Sequence, residues 1–303
     1  MYLYHFGLRE LPFTLTPNTS FYLGLAPHNE ALAVLLTALK TGEGFLKVVG
    51  EVGTGKTLLC RKLLNDIPEH FVTAYIPNPY LNPDELRRAV AVELGVKQAQ
   101  RMSNQLLTQR IQSRLLELHG QGHSVVLIVD EAQALPEESL EALRLFTNLE
   151  TESRKLLQVV MFAQPELDQR LAQDKFRQLR QRITFSYKLR PMTSSEVESY
   201  IQHRLSVAGY KGAALFPANV CKRLTRISKG IPRLVNVLCH KMMMLGYGEG
   251  EYMLTNKHLN MAAKDTEDTA AISLSPTVLI AGAGVLLAIV VTAFVWLQSG
   301  GTA

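Results

Sequence analysis

Two rhythms of apolar and polar positions run along this chain. Five short stretches, residues 45–49, 71–76, 124–129, 157–162 and 183–189, are dominated by apolar and β-favouring side chains and read as strands. Between them apolar residues recur every three or four positions, over 28–39, 56–67, 83–94, 104–118 and 165–182, as they do on one face of a helix. The stretch 124–129 (SVVLIV) is apolar almost throughout, which a strand covered on both faces requires. Strands alternating with helices predict a parallel sheet in a three-layered α/β domain over 41–190. An extended lead-in and one helix over 1–40 precede it. Beyond Pro191 the strand rhythm stops. Helical spacing continues to about 265, interrupted at Gly209, Gly212, Pro217 and Gly230-Ile231-Pro232, and predicts a small all-helical second domain over 191–265.

The last stretch differs again. Residues 269–303 contain no charged side chain, and after a linker at 266–277 residues 278–297 form an apolar run long enough to cross a bilayer as a helix. Twelve Val, Leu, Ile and Phe residues in that run favour insertion by about 4 to 7 kcal/mol. Pro276 suits its start and Trp296 an interfacial position near its far end, while residues 298–303 are too few for a domain. Gly284, Ala288 and Thr292 recur every fourth position and would let a neighbouring helix approach closely. Lys257 and Lys264 lie on the body side, and the charge-free tail opposes them, which places the body in the cytoplasm and the anchor in a single pass.

Composition changes this picture little. Of 303 residues, 47% are hydrophobic and 19% charged, enough to bury a core without disulfides or structural metals. Net charge is +5 and is spread along the chain, so it argues only weakly for a nucleic-acid or anionic-membrane partner. The three cysteines, Cys60, Cys221 and Cys239, make no CxxC pair and are odd in number, against both a zinc site and a secreted disulfide framework. The first residues lack a basic region followed by an apolar run, so a cleavable signal is not expected.

The chemistry concentrates at strand ends. Gly50-Glu51-Val52-Gly53-Thr54-Gly55-Lys56-Thr57 fits GxxxxGK[ST], placed after a predicted strand and before a predicted helix. Glycines there let backbone N–H groups turn onto phosphate oxygens, with the helix N-terminus adding the positive end of its dipole. Lys56 should reach the β and γ phosphates of ATP, and Thr57 should hold Mg²⁺ through its hydroxyl. Asp130-Glu131 stands at the tip of the apolar strand 124–129. Asp130 is placed to organise Mg²⁺, and Glu131 to polarise the attacking water.

These motifs, with FGLRELPF at 6–13, Asp130-Glu131-Ala132-Gln133, Gln164-Pro165-Glu166-Leu167, RQLRQRI at 177–183 and Gly230-Ile231-Pro232-Arg233, resemble AAA+ ATPases of the ExeA/GspA type. Within that family the wording is similar to members serving the mannose-sensitive haemagglutinin pilus. The resemblance implies further roles. Gln164 is the polar sensor that reads the γ-phosphate, although Asn, Thr or Ser is commoner in that place. Arg182 is the arginine finger offered to a neighbouring subunit, with Arg180 and Arg177 on the same basic helix end. Arg233 is the lid arginine that reaches back to the γ-phosphate. The aromatic lead-in around Leu11–Phe13 packs either near adenine or in the core. It also implies a homo-oligomeric ring at the bacterial inner membrane, working with pilus or secretion proteins. The lid residues Lys222, Arg223, Arg226, Lys229 and Arg233 would be the contact surface under the rival reading, a DNA-associated transposition-helper ATPase. They lack the interleaved aromatics that stack on bases. A third reading is a nucleotide-dependent scaffold with little turnover.

Overall fold

The computed structural model describes residues 2–77, 79–146, 155–267 and 269. Strands β1 (Phe45–Val49), β2 (Phe71–Ile76), β3 (Ser124–Val129), β4 (Gln158–Ala163) and β5 (Phe185–Lys188) form one parallel sheet in the order β2-β3-β4-β1-β5. Around it lie α2 (Ala26–Lys40), α3 (Lys56–Asp66), α4 (Pro83–Glu93), α5 (Asn104–Gly120), α6 (Glu137–Phe146), α7 (Glu166–Leu171) and α8 (Arg177–Arg182), following the short α1 (Tyr2–Phe6). The helices α9 (Ser194–Val207), α10 (Ala218–Ile227), α11 (Pro232–Glu249) and α12 (Asn256–Lys264) form the second, all-helical body.

The near-continuous apolar pattern of the central strands has the expected cause. Val125, Leu127 and Val129 of β3 point into one core with α4, α5 and α6, while Val126 and Ile128 point into the other with α2 and α3. Both faces of the sheet are therefore dry at β3. In parallel strands so covered, the loops at the C-terminal ends are the free edge, and the phosphate loop and acidic pair sit there.

Three expectations change in detail. The helical stretch 165–182 is broken into α7 and α8 by a 3₁₀ turn at Asp174–Phe176, where Phe176 is drawn into the core and fixes the bend. Strand β5 is shorter than 183–189 because it lies at the sheet edge and pairs with β1 alone. The lead-in is not merely extended: α1 and the stretch up to Leu25 pack Tyr2, Phe6, Leu8, Phe13, Phe21 and Leu25 into the core of the helical body. Phe13 is 2% exposed and meets Phe216 edge-on at 5.9 Å, so its ring belongs to that core and not to a nucleotide base. Among the described residues no helix is long and apolar enough to cross a membrane, and residues 278–297 lie outside them.

The turn before α11 brings backbone against backbone. Gly230 has φ 68°, its carbonyl accepts the N–H of Met192 at 2.9 Å, and a Cβ there would stand 2.2 Å from the Met192 carbonyl oxygen. Gly230→Ala is expected to destabilise the protein by at least about 2 kcal/mol, the left-handed backbone cost plus the forced separation of two chains, as read by urea unfolding. A loss below about 0.5 kcal/mol would show that the turn relaxes freely.

Candidate functional site: a phosphate-loop cleft beneath the helical lid

The loop from Gly50 to Gly55 leaves β1 and enters α3 with Gly53 at φ 79° and Gly55 at φ 96°. Those left-handed positions demand glycine, and they aim the loop at the N-terminus of α3, whose first N–H groups have no partner within the helix. Lys56 opens that helix with its ammonium folded back, donating to the carbonyls of Gly50 at 2.7 Å and Glu51 at 3.0 Å. It is 4% exposed. Burial lowers its pKa, opposed by the carboxylates of Glu131, Asp130, Glu51 and Glu166.

Strand β3 separates from β1 by the width of β4, and its end places Asp130 and Glu131 opposite the loop. Asp130 is buried, which raises its pKa, while hydrogen bonds from the Thr57 side chain and the Glu131 N–H hold it down. Glu131 takes a left-handed backbone, φ 52° and ψ 38°. Its Oε2 accepts from the side-chain amides of Gln133 at 2.5 Å and Gln164 at 2.9 Å. The Gln133 amide oxygen in turn accepts the Gln164 N–H at 3.0 Å, and Arg170 on α7 donates to the Gln133 carbonyl at 2.6 Å. A closed ring of bonds thus ties the end of β3 to the end of β4 through the carboxylate of Glu131. Gln133 stands in the sequence two residues after Glu131, yet only this geometry gives it work.

The lid completes the cleft. The N–H of Arg233, at the start of α11, donates to the Gly53 carbonyl at 3.2 Å. A Cβ on Gly53 would lie 2.5 Å from Arg233 Cβ, so the second glycine of the loop is also the point of closest approach to the lid. The resulting cleft, about 350 Å³, is lined by Val52, Gly53, Gly55, Lys56 and Thr57 of the loop, by Glu131 and Gln164, and by Arg233. Its far wall is Thr14–Asn18 of the lead-in with Tyr200, Arg204 and Asn236 of the lid. Arg204 clamps that wall, donating to Pro12 and to the Tyr200 hydroxyl, while Asn236 donates to the Thr14 carbonyl. The stretch Thr14–Asn18 was missed in the sequence because its part in the cleft comes from backbone position, not residue type.

Arg182 lies apart from this cleft, half-buried at the end of α8. Arg180 donates to the carbonyls of Leu171 and Ala172, both at 2.9 Å, and so caps α7 within its own chain, while Arg177 begins α8. The cysteines are free and buried, and burial pushes all three thiols up, so none offers a thiolate.

The donor set fits a nucleoside triphosphate with its cation. An ammonium and a helix N-terminus face where phosphates would lie, and a hydroxyl bonded to a carboxylate is a hard-oxygen pair suited to Mg²⁺.

A parallel sheet with a phosphate loop after β1, an acidic pair after β3 and a helical lid accords with an AAA-type domain, and the AAA domain family matches residues 39–171. General secretion pathway protein A of Aeromonas hydrophila is 41% identical over 263 residues, which make up 87% of this chain and 48% of that protein. This chain is similar to that secretion protein and spans about half its length. The fold also resembles Cdc6p from Pyrobaculum aerophilum, with a TM-score of 0.61 at 16% identity over 88% of this chain and 74% of that one. The Aeropyrum pernix ORC2 protein, solved in ADPNP–ADP complexes, gives a TM-score of 0.59 at 15% identity over 84% of this chain and 73% of that one. At such identities the likeness speaks of fold alone.

Proposed function

We propose that this chain binds ATP with Mg²⁺ in the cleft and hydrolyses it. The observation that carries this reading is the convergence of Lys56, Thr57 and Glu131 on one cleft from two strand ends, with buried Asp130 hydrogen-bonded to Thr57 beside it. Lys56 and the N–H groups around Gly53 to Thr57 take the phosphates. Thr57 and Asp130 hold the cation and its waters. Glu131, oriented by the amides of Gln133 and Gln164, polarises the attacking water, and Gln164 reports the γ-phosphate. Arg233 reaches the same phosphate from the lid. Arg182, standing outside its own cleft, serves a neighbouring subunit's ATP in a homo-oligomeric ring.

The division into lead-in and first helix (1–40), ATPase core (41–190), lid (191–265), linker (266–277), transmembrane helix (278–297) and tail (298–303) follows the same reading. The body works on the cytoplasmic face of the bacterial inner membrane, anchored once. The secretion relative and the motif wording, similar to the MSHA pilus biogenesis protein MshM, together favour support of a type II-like secretion machine or an MSHA-type type IV pilus.

The test is a phosphate-release assay of the full-length protein alongside carbonate washing of membranes and a pull-down with Glu131→Gln. ATP turnover, retention in washed membranes and recovery of a secretion or pilus inner-membrane subunit are expected. Release into the soluble fraction with retention on DNA would favour the transposition-helper reading instead. ATP binding without turnover would favour the scaffold.

A further inference from the structure

We infer that His28 is a positioning residue for the phosphate loop: by holding the Thr54 carbonyl outward, it keeps the loop's N–H groups turned toward a bound polyphosphate. This rests on the nucleotide-binding reading and adds a residue to it.

A loop that presents its N–H groups to a ligand must send its carbonyls the other way, and each of those carbonyls needs a donor when water is excluded. The donors here can be traced one by one. The Gly50 and Glu51 carbonyls take Lys56, and Glu51 also takes the Thr54 N–H at 3.2 Å and hydroxyl at 2.8 Å. Gly55 takes the N–H of Leu59 as α3 begins. Val52 is an exposed residue of the loop, and the other two carbonyls are satisfied from outside the loop and its helix. Gly53 takes the Arg233 N–H of the lid, and Thr54 takes Nε2 of His28 at 3.0 Å. A lid can move; α2 is packed against β1 and α3 in the core of the sheet. His28 is therefore the fixed tether of the pair.

The chemistry of the ring agrees with this. A carbonyl oxygen only accepts, so Nε2 carries the proton. Nδ1 is buried with no partner, as in the neutral Nε2–H tautomer. His28 is 8% exposed, and burial lowers its pKa, against opposing contributions from the Thr54 carbonyl and Glu196. The fit is also steric. A Cβ on Gly55 would stand 2.9 Å from His28 Nε2, so the third glycine of the loop is required by this ring as well as by its own φ. His28 is a buried polar residue on a helix face that is otherwise apolar; its ring meets Tyr22 edge-on at 6.4 Å, a contact that leaves Nε2 to the loop.

The experiment measures ADP and ATP dissociation constants, with thermal midpoints, for full-length wild type and for His28→Leu, His28→Asn and His28→Gln. Glutamine places an amide donor near the position of Nε2, whereas asparagine is too short and leucine has no donor. His28→Leu and His28→Asn are expected to bind both nucleotides about tenfold more weakly, the loss of one buried hydrogen bond, while His28→Gln stays within about threefold. Wild-type affinity in the leucine and asparagine variants, or equal loss in all three, overturns the assignment. If wild type itself binds neither nucleotide, the nucleotide reading falls and this one with it.

Discussion

Replacing Glu131 by glutamine is expected to lower ATP turnover at saturating nucleotide by about 10² to 10⁴, the contribution of a positioned general base. Affinity for ATP should stay within about threefold, because the variant removes no phosphate contact. The structure explains why the change should isolate chemistry from binding. Glu131 meets the cleft with a carboxylate already fixed by two amides at 2.5 and 2.9 Å, and a glutamine oxygen can accept from the same amides. Side-chain volume and the bonds tying β3 to β4 are preserved, and only the ability to draw a proton from water is lost. Phosphate release, with nucleotide binding followed separately by titration, checks both halves. Turnover close to wild type would remove Glu131 from the reaction and move the search to another base.

Lys56→Ala should act on binding instead. The ammonium faces where the phosphates would lie, and charge-assisted hydrogen bonds contribute about 1.5 to 3 kcal/mol each, so ATP affinity should fall about a hundredfold or more. Stability should behave differently. The buried ammonium donates to two loop carbonyls, yet its own burial opposes its charge. Removing it costs the two bonds and relieves the desolvation, so the thermal midpoint of the empty protein should move little, while its rise on adding ATP should disappear. The pH dependence has a definite sign. Because the folded pKa lies below the ordinary 10.5, the unfolded chain holds that proton more tightly, and stability gains from Lys56 as pH rises through the folded value toward 10.5. The wild-type minus variant difference in urea unfolding free energy should therefore grow in favour of wild type between neutral and alkaline pH. A difference that shrinks contradicts the direction of the shift.

Much of this site was legible because its parts are local. A strand, a glycine loop and a helix follow one another within about twenty residues, and each announces itself by residue type. Asp130-Glu131 was legible for the same reason, as polar residues ending an apolar strand. Gln133 was not, since an amide two positions after a carboxylate means nothing until Gln164 and Arg170 come in from β4 and α7. His28 read as one polar member of an amphipathic helix. The lead-in misled most. Its aromatics fit either a base or a core, and the choice fell to the lid because α1 runs against α11 there, giving Tyr2, Phe6 and Phe13 a large apolar surface to cover.

By itself the sequence determined the order of strands and helices, the glycines of the phosphate loop, and which strand ends carry charge, because all of these follow from the side chains of neighbouring residues. Only the tertiary structure decided which strands lie side by side, that β4 stands between the two halves of the site, and that His28 and Arg233 hold the loop from opposite sides. Those relations join residues up to 180 positions apart (233 − 53), and they are set by how apolar faces pack and by which buried carbonyls still need a donor, neither of which a single segment records.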